Sequence, residues 1–328
     1  MGIRTVLCGL LGIEHPIIQG GMAMAGNAEL AAAVSEGGGL GMIGANPGWV
    51  PNDELQANLR RQIAIALERT KKPVGLNFTL FTIPPEQRIS MINMAADAGI
   101  AVAGTSGGNP AALIPHFHQR GMKVIHVVGN ARQAISAAEA GADVVVAEGF
   151  EAGGVNAPDE IPTLPLVPVV VDAVRIPVIA AGGIADGRGL AAALALGASG
   201  VQMGTRFIAS EECHAHPAFK EAILRAKETD TVITGRKLKQ AYRTRRTPFT
   251  EKLYELDHSA ATPEDVRLAM GRDASWKGQL AGDAETGIMS FGVGAAMVQE
   301  ILPAAEIVRR IVRQAEQVLQ SISSYRRQ

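Results

Sequence analysis

Eight times between residues 15 and 207 the chain runs through a short apolar stretch and breaks off into glycine, asparagine or serine. The runs are HPIIQGGM (15–22), GLGMIG (39–44), PVGLNFTL (73–80), IAVAGTS (100–106), KVIHVVG (123–129), DVVVAEG (143–149), PVIAAGG (177–183) and GVQMGTRF (200–207). Alanine-rich segments with helical periodicity, such as NAELAAAVSEG and ARQAISAAEAG, lie between them. Strands that are apolar throughout, rather than alternating, are buried on both faces, as in a parallel sheet covered by helices. Eight such strand–helix units are the count of a TIM barrel. A doubly wound open sheet would call for a GxGxxG turn after the first strand. QGGMAMAG has glycines without that spacing, and no acidic residue follows at the right remove. The predicted fold is therefore α/β, a TIM (β/α)8 barrel over residues 1–208.

Past Phe207 the repeat gives way to a charged, helix-prone stretch, read as a mostly helical lid or substrate subdomain over 209–284. Residues 285–328 return to the barrel and end in an amphipathic helix, IVRRIVRQAEQVLQSI, with a basic tail, SYRRQ, expected to be disordered. Arg236, Lys237, Lys239, Arg243, Arg245 and Arg246 cluster in the lid. Such runs more often form a solvated face than an anion site, and the solvated reading is taken. With a formal net charge of -1 there is no global field to draw nucleic acid or an acidic membrane. The N-terminal apolar run is too short and broken for a membrane span and reads as an opening helix. Cys8 and Cys213 lie far apart in no metal or redox spacing, which points to a reducing, cytoplasmic setting. The seven histidines include His116/His118 and His214/His216, but a spacing of two does not place ligands on one helix face; all are read as surface or loop residues. A GxSxG elbow is absent.

In barrels, sites gather at the C-terminal strand ends, and phosphates favour the loops after the seventh and eighth strands. Gly182-Gly183 and Gly204-Thr205 fall there, where backbone N–H groups can approach an anion and the Thr205 hydroxyl adds a donor. A single glycine pair would pass for a tight turn; two in these loops point to a phosphate. Gly20-Gly21-Met22 closes the first run, where the glycines admit a planar ring and Met22 is either its neighbour or core filler. Asn77 ends the third run and must find partners in backbone or in a ring edge. Glu148 closes the sixth, an ionisable group at an apolar mouth that either binds a hydroxyl or caps a loop.

QGGMA (19–23), AEGFEAGG (147–154), PVIAAGGIADGRGLAAALALGA (177–198) and QMGTRFIASEECHAHPAFKEAI (202–223) resemble the FMN-dependent nitronate monooxygenase family, formerly the 2-nitropropane dioxygenases. That family also contains the type II enoyl-acyl-carrier-protein reductases. The resemblance covers nearly the whole chain. It implies one FMN at the barrel mouth, with Gly21, Met22 and Asn77 at the isoalloxazine and Glu148, Gly153 and Gly154 on the ribityl side. Ala181, Gly182, Gly183, Gly204 and Thr205 would then hold the phosphate, and Met289-Ser290 would return over the ring. It also implies a small-molecule substrate, free or bound to an acyl carrier, with NAD(P)H as a reductant or O2 as a co-substrate, and it is compatible with a homodimer.

One position departs from the family pattern. Many members carry a histidine after the second glycine of this motif, beside the reactive face, where an imidazole can move a proton near neutral pH. Here Val155 and Asn156 follow, and neither titrates. A nitronate is already deprotonated and needs no base. A neutral nitroalkane does, and an enoyl thioester needs a proton that Val155 cannot give. The leading expectation is therefore oxidation of alkyl nitronates with O2, with Asn156 bonding the nitro group. The alternatives are an NAD(P)H-dependent reductase of an enoyl thioester or quinone, and a flavin-binding protein without the usual acid–base chemistry.

Overall fold

The computed structural model describes residues 2–48 and 54–325. The last three residues of the basic tail lie outside that range. Helix α1 (Val6–Leu11) opens the chain, and eight parallel strands follow with helices between them. They are β1 (Ile17–Gln19), β2 (Leu40–Ile43), β3 (Val74–Thr79), β4 (Val102–Ser106), β5 (Lys123–Val128), β6 (Val144–Glu148), β8 (Val178–Ala181) and β9 (Gly200–Met203). The barrel closes where Ile17 and Gln19 of β1 pair with Val201 and Met203 of β9. Each of the eight apolar runs thus supplies one barrel strand. The eighth is shorter than expected: it stops at Met203, and Thr205–Ile208 turns into a short helix, α9. Gly204, without a side chain to pack on the sheet, marks the change.

Alternation decides which side chains enter the barrel. Val144 and Val146 join Ile18, Leu40, Met42, Val102, Ile125 and Ile179 in the interior cluster, which Leu7, Cys8 and Leu11 of α1 plug from below. Val145 and Ala147 face the other way, into the layer shared with the helices. Continuing the count, Glu148 points inward at the top of the barrel, above Val146. Helix α14 (Ala304–Ser323) lies outside, burying Ala304, Ile307, Val308, Ile311, Val312 and Ala315 at spacings of three and four. Each such valine or isoleucine contributes about 1.5–3 kcal/mol relative to exposure.

The lid differs from the helical expectation in containing a small antiparallel sheet. Strands β10 (Thr231–Thr234) and β11 (Ala241–Arg245) pair with each other, and β11 pairs with β7 (Gly154–Asn156), which belongs to the loop after β6. The loop holding Val155 is therefore the third strand of the lid sheet. Helices α10 (Pro217–Leu224), α11 (Pro248–His258), α12 (Pro263–Met270) and α13 (Ala274–Gln279) complete this region. Arg243 fastens it to the barrel: its guanidinium sits 4.9 Å over the Phe150 ring and donates to the Phe150 carbonyl from Nε (3.0 Å) and Nη2 (2.8 Å). Among the described residues, no helix is long and apolar enough to cross a membrane.

Candidate functional site

At the C-terminal ends of β1, β6, β8 and β9 an open cleft enters the barrel mouth. Ten of the residues singled out from the sequence line it: Gly21, Met22, Glu148, Gly153, Ala181, Gly182, Gly183, Gly204, Thr205 and Ser290. Sequence reasoning missed Gln202, Glu151, Gly292 and Gly294, which line it too. Gln202 was legible in principle, since Val201 packs outward and the next residue must face inward.

The cleft floor after β8 is a glycine cradle. Gly182 and Gly183 hold φ of +98° and +69°, the left-handed region that favours glycine. A Cβ at Gly182 would come within 2.7 Å of the Gly149 carbonyl oxygen and 2.8 Å of Thr163 Oγ1. Beside it, on the neighbouring strand, the chain leaves β9 at Gly204 and enters a helical turn, so the leading N–H groups of that turn have no intrahelical acceptor. The Thr205 hydroxyl accepts from Gly292 N–H at 3.0 Å, which leaves its own proton free to donate.

Two carboxylates face the same space and differ in kind. Glu151 is anchored, accepting from Thr163 N–H (2.9 Å) and Thr163 Oγ1 (2.8 Å) at the start of α7 (Thr163–Ala173), where a negative charge suits the helix end. Glu148 is partly buried with no charged partner, and burial pushes its carboxyl from the ordinary 4.5 up to about 7.

Five expected residues stand outside the lining. Asn77 lies behind Gly21, so close that a Cβ on Gly21 would meet Asn77 Cβ at 2.2 Å; its amide donates to Thr79 Oγ1 at 3.0 Å. Met289 is buried, with Sδ 3.7 Å from Arg245 Nη1. Gly154, Val155 and Asn156 form β7, with Val155 opposite Tyr242 and 37% exposed. The Asn156 amide does not reach for a substrate as expected: its Nδ2 donates to the carbonyls of Ala152 (2.9 Å) and Gly154 (3.1 Å), clamping the loop.

Most lid cations have structural partners, and Arg243 and Arg245, on β11, are half-buried rather than part of a solvated helix face. Arg236 pairs with Glu160 at 2.7 Å, and Arg246 pairs with Glu251. Arg245, half-buried beside Met289, has no carboxylate partner among the described residues. One histidine expectation fails. His126 is buried on β5, where its Nδ1 meets Thr105 Oγ1 at 2.9 Å and burial pushes its pKa down to about 4, keeping it neutral. Its alternate position on the strand turns it toward the helix layer. Both cysteines are buried, and burial raises the Cys213 thiol to about 11, which makes it inert. Among the described residues there is no cluster suited to a metal ion.

The profile of the nitronate monooxygenase family matches residues 4–314. A probable nitronate monooxygenase of Staphylococcus saprophyticus is 33% identical, the match covering 97% of this chain and 99% of that one. A (3aS,4S,5R,7aS)-5-hydroxy-7a-methyl-1-oxo-octahydro-1H-indene-4-carboxyl-CoA dehydrogenase of Mycobacterium tuberculosis is 31% identical over 99% of each chain. Among solved structures, FabK from Thermotoga maritima superposes with a TM-score of 0.91 at 41% identity, covering 99% of this chain and 100% of that one.

Proposed function

The chain belongs to the nitronate monooxygenase family and is an oxidoreductase, and on that premise we propose that its cofactor is FMN and that it oxidises alkyl nitronates with O2. The carrying observation is the glycine cradle lying beside Gly204-Thr205 at the ends of two neighbouring strands. It offers backbone that a ligand can approach closely, a free hydroxyl proton and no side-chain bulk, which fits a phosphate monoester.

In this reading Ala181, Gly182, Gly183, Gly204 and Thr205 hold the phosphate, with Gly292 and Gly294 closing over it. Glu148 and Gly153 line the ribityl side, with Gly154 next in the chain and outside the lining. Gly21 and Met22 face the ring, with Asn77 supporting Gly21 from behind, and Met289-Ser290 return from the lid. Bound flavin supplies the two-electron chemistry and the means of reducing O2. The protein's share is placement, hydrogen bonding and access. Val155 carries no proton, which suits a substrate that arrives as an anion. Glu148 can hold a proton at neutral pH where an ordinary carboxyl cannot.

Flavin-loaded protein is expected to consume O2 with propionate-3-nitronate far faster than free FMN does. Turnover no better than free FMN contradicts the reading. The relative that carries a CoA dehydrogenase name favours a second reading, reduction of an enoyl thioester or quinone by NAD(P)H. Anaerobic mixing with NADH and NADPH separates the two: rapid bleaching of the flavin band supports the reductase, and a persistent oxidised spectrum supports the oxidase.

A further inference from the structure

The cleft carries two carboxylates and no cation to match them. Of the described residues that line it, Glu148 and Glu151 alone are ionisable; no lysine, arginine or histidine joins them. Glu151 is committed elsewhere, its two oxygens accepting from Thr163 N–H and Oγ1. Glu148 has no side-chain hydrogen bond among the described residues, and burial alone pushes its carboxyl up to about 7. Strand register sets Glu148 level with Ala181, from which the chain runs on into Gly182-Gly183. Ala181 is level in turn with Gln202 on β9, two residues before Gly204. The free carboxyl therefore stands beside the glycine cradle, in the same partly dry space.

The surrounding elements bring no compensating charge. β1 and β8 hold no ionisable residue. His126 of β5 turns to the helix layer and, at about 4, is neutral. Arg206, after β9, turns its Nη2 to the carbonyls of Ala209 and Glu300. On β11, Arg243 donates to the Phe150 carbonyl and Thr231 Oγ1 and is drawn to Glu151, while Arg245 turns to Met289 Sδ. A phosphate entering this cleft would thus oppose an ionised Glu148 with nothing between them, and where two like charges share a partly buried site one of them gives way by taking a proton. A phosphate monoester loses its second proton near pH ~6, so the carboxyl, with the higher affinity for a proton, is the one that yields.

We propose that flavin mononucleotide enters this cleft together with one proton, which Glu148 takes up, so that the phosphate is held beside a neutral carboxyl and affinity for the cofactor falls as pH rises. This proton uptake deepens the reading of the cleft as a flavin site and rests on it. No lysine or arginine then need reach the phosphate: backbone N–H groups and the Thr205 hydroxyl bind it, and the proton removes the charge that opposes it. The neutral carboxyl also gains a hydrogen to donate, which the ionised form lacks. The sign follows from linkage. The complex holds more protons than the free protein from about pH 7 up to the still higher pKa that Glu148 has in the complex, so affinity is greatest at and below about pH 7 and declines above it.

The test is titration of stripped full-length protein with FMN from pH 7 to pH 8.5, by fluorescence for affinity and by calorimetry in buffers of different ionisation enthalpy for the number of protons exchanged. His126, at about 4, and Cys213, at about 11, do not titrate in that window. Wild-type affinity is expected to fall about tenfold across it, with about one proton taken up per FMN near pH 8. Glu148→Gln, which cannot ionise, should bind FMN with an affinity constant within about twofold over the same range and take up no proton. Glu151→Gln should keep the wild-type pH dependence. Riboflavin, which has no phosphate charge to oppose, should take up far less than one proton. Wild-type affinity that is level across the window, uptake that persists in Glu148→Gln or vanishes in Glu151→Gln, or equal uptake with riboflavin would each overturn the proposal. FMN that binds tightly without pH dependence contradicts the proton uptake and leaves the flavin reading standing; FMN that binds at no pH overturns both.

Discussion

Replacing Gly204 with Asp is expected to yield a folded protein that no longer retains flavin. The position permits a side chain: φ is -108°, and an added Cβ would meet only the Met22 side chain, Sδ at 3.5 Å and Cγ at 3.7 Å, which are ordinary contacts. Aspartate is also at home before a helical turn. Its carboxylate, however, would sit where we propose that the phosphate is held, and opposed like charges cost several kcal/mol. Flavin affinity should fall by at least about a hundredfold, measured by fluorescence titration of stripped protein, with the melting temperature within a few degrees of the stripped wild type. Gly204→Ala, which adds bulk without charge, should bind flavin within about tenfold of wild type. Equal losses in the two variants would mean that space rather than a phosphate governs the position.

Replacing Glu148 with Gln should remove a large part of the pH dependence of stability in the flavin-free protein. The sign follows from the direction of the shift. Burial holds the folded-state carboxyl at about 7 against 4.5 in the unfolded chain, so the folded state binds more protons between those values. Wild-type stability is therefore intact below about pH 4.5, falls as pH rises through this window, and stays low above pH 7. The difference approaches about 3 kcal/mol at most. The glutamine amide cannot ionise, so the variant should gain on wild type steadily from pH 5 to pH 8. A constant offset from burying an unpaired amide is expected at every pH and does not affect this comparison. Urea midpoints at both pH values test it: a wild-type-minus-variant difference that does not change with pH would show that Glu148 is ionised at the barrel mouth as in water.

The barrel was legible because burial on both faces leaves a mark that no other requirement erases. Runs such as VVVA and PVIAA are apolar at every position, and each became a strand. The glycine cradle was legible for a similar local reason, since only glycine serves at Gly182 and the demand is written in one residue. β7 was not legible. Gly154-Val155-Asn156 has no strand pattern of its own, and its pairing partner, β11, lies more than 80 residues later in a stretch that reads as charge. The partners of Asn156 were not legible for the same reason, because its Nδ2 finds them in the carbonyls of Ala152 and Gly154, which only the folded loop brings to it. His126 shows how period-two alternation outranks residue type. Its neighbours Ile125 and Val127 face the barrel interior, which sends the imidazole to the opposite side, where Thr105 meets it.

The central claim is that this cleft grips a flavin by its phosphate. Titrating the stripped protein in parallel with FMN and riboflavin, which share the ring and the ribityl chain and differ in that one group, tests it most directly. FMN is expected to bind at least about a hundredfold more tightly, as for several charge-assisted hydrogen bonds to one phosphate; riboflavin binding as tightly as FMN, or neither binding, would contradict it.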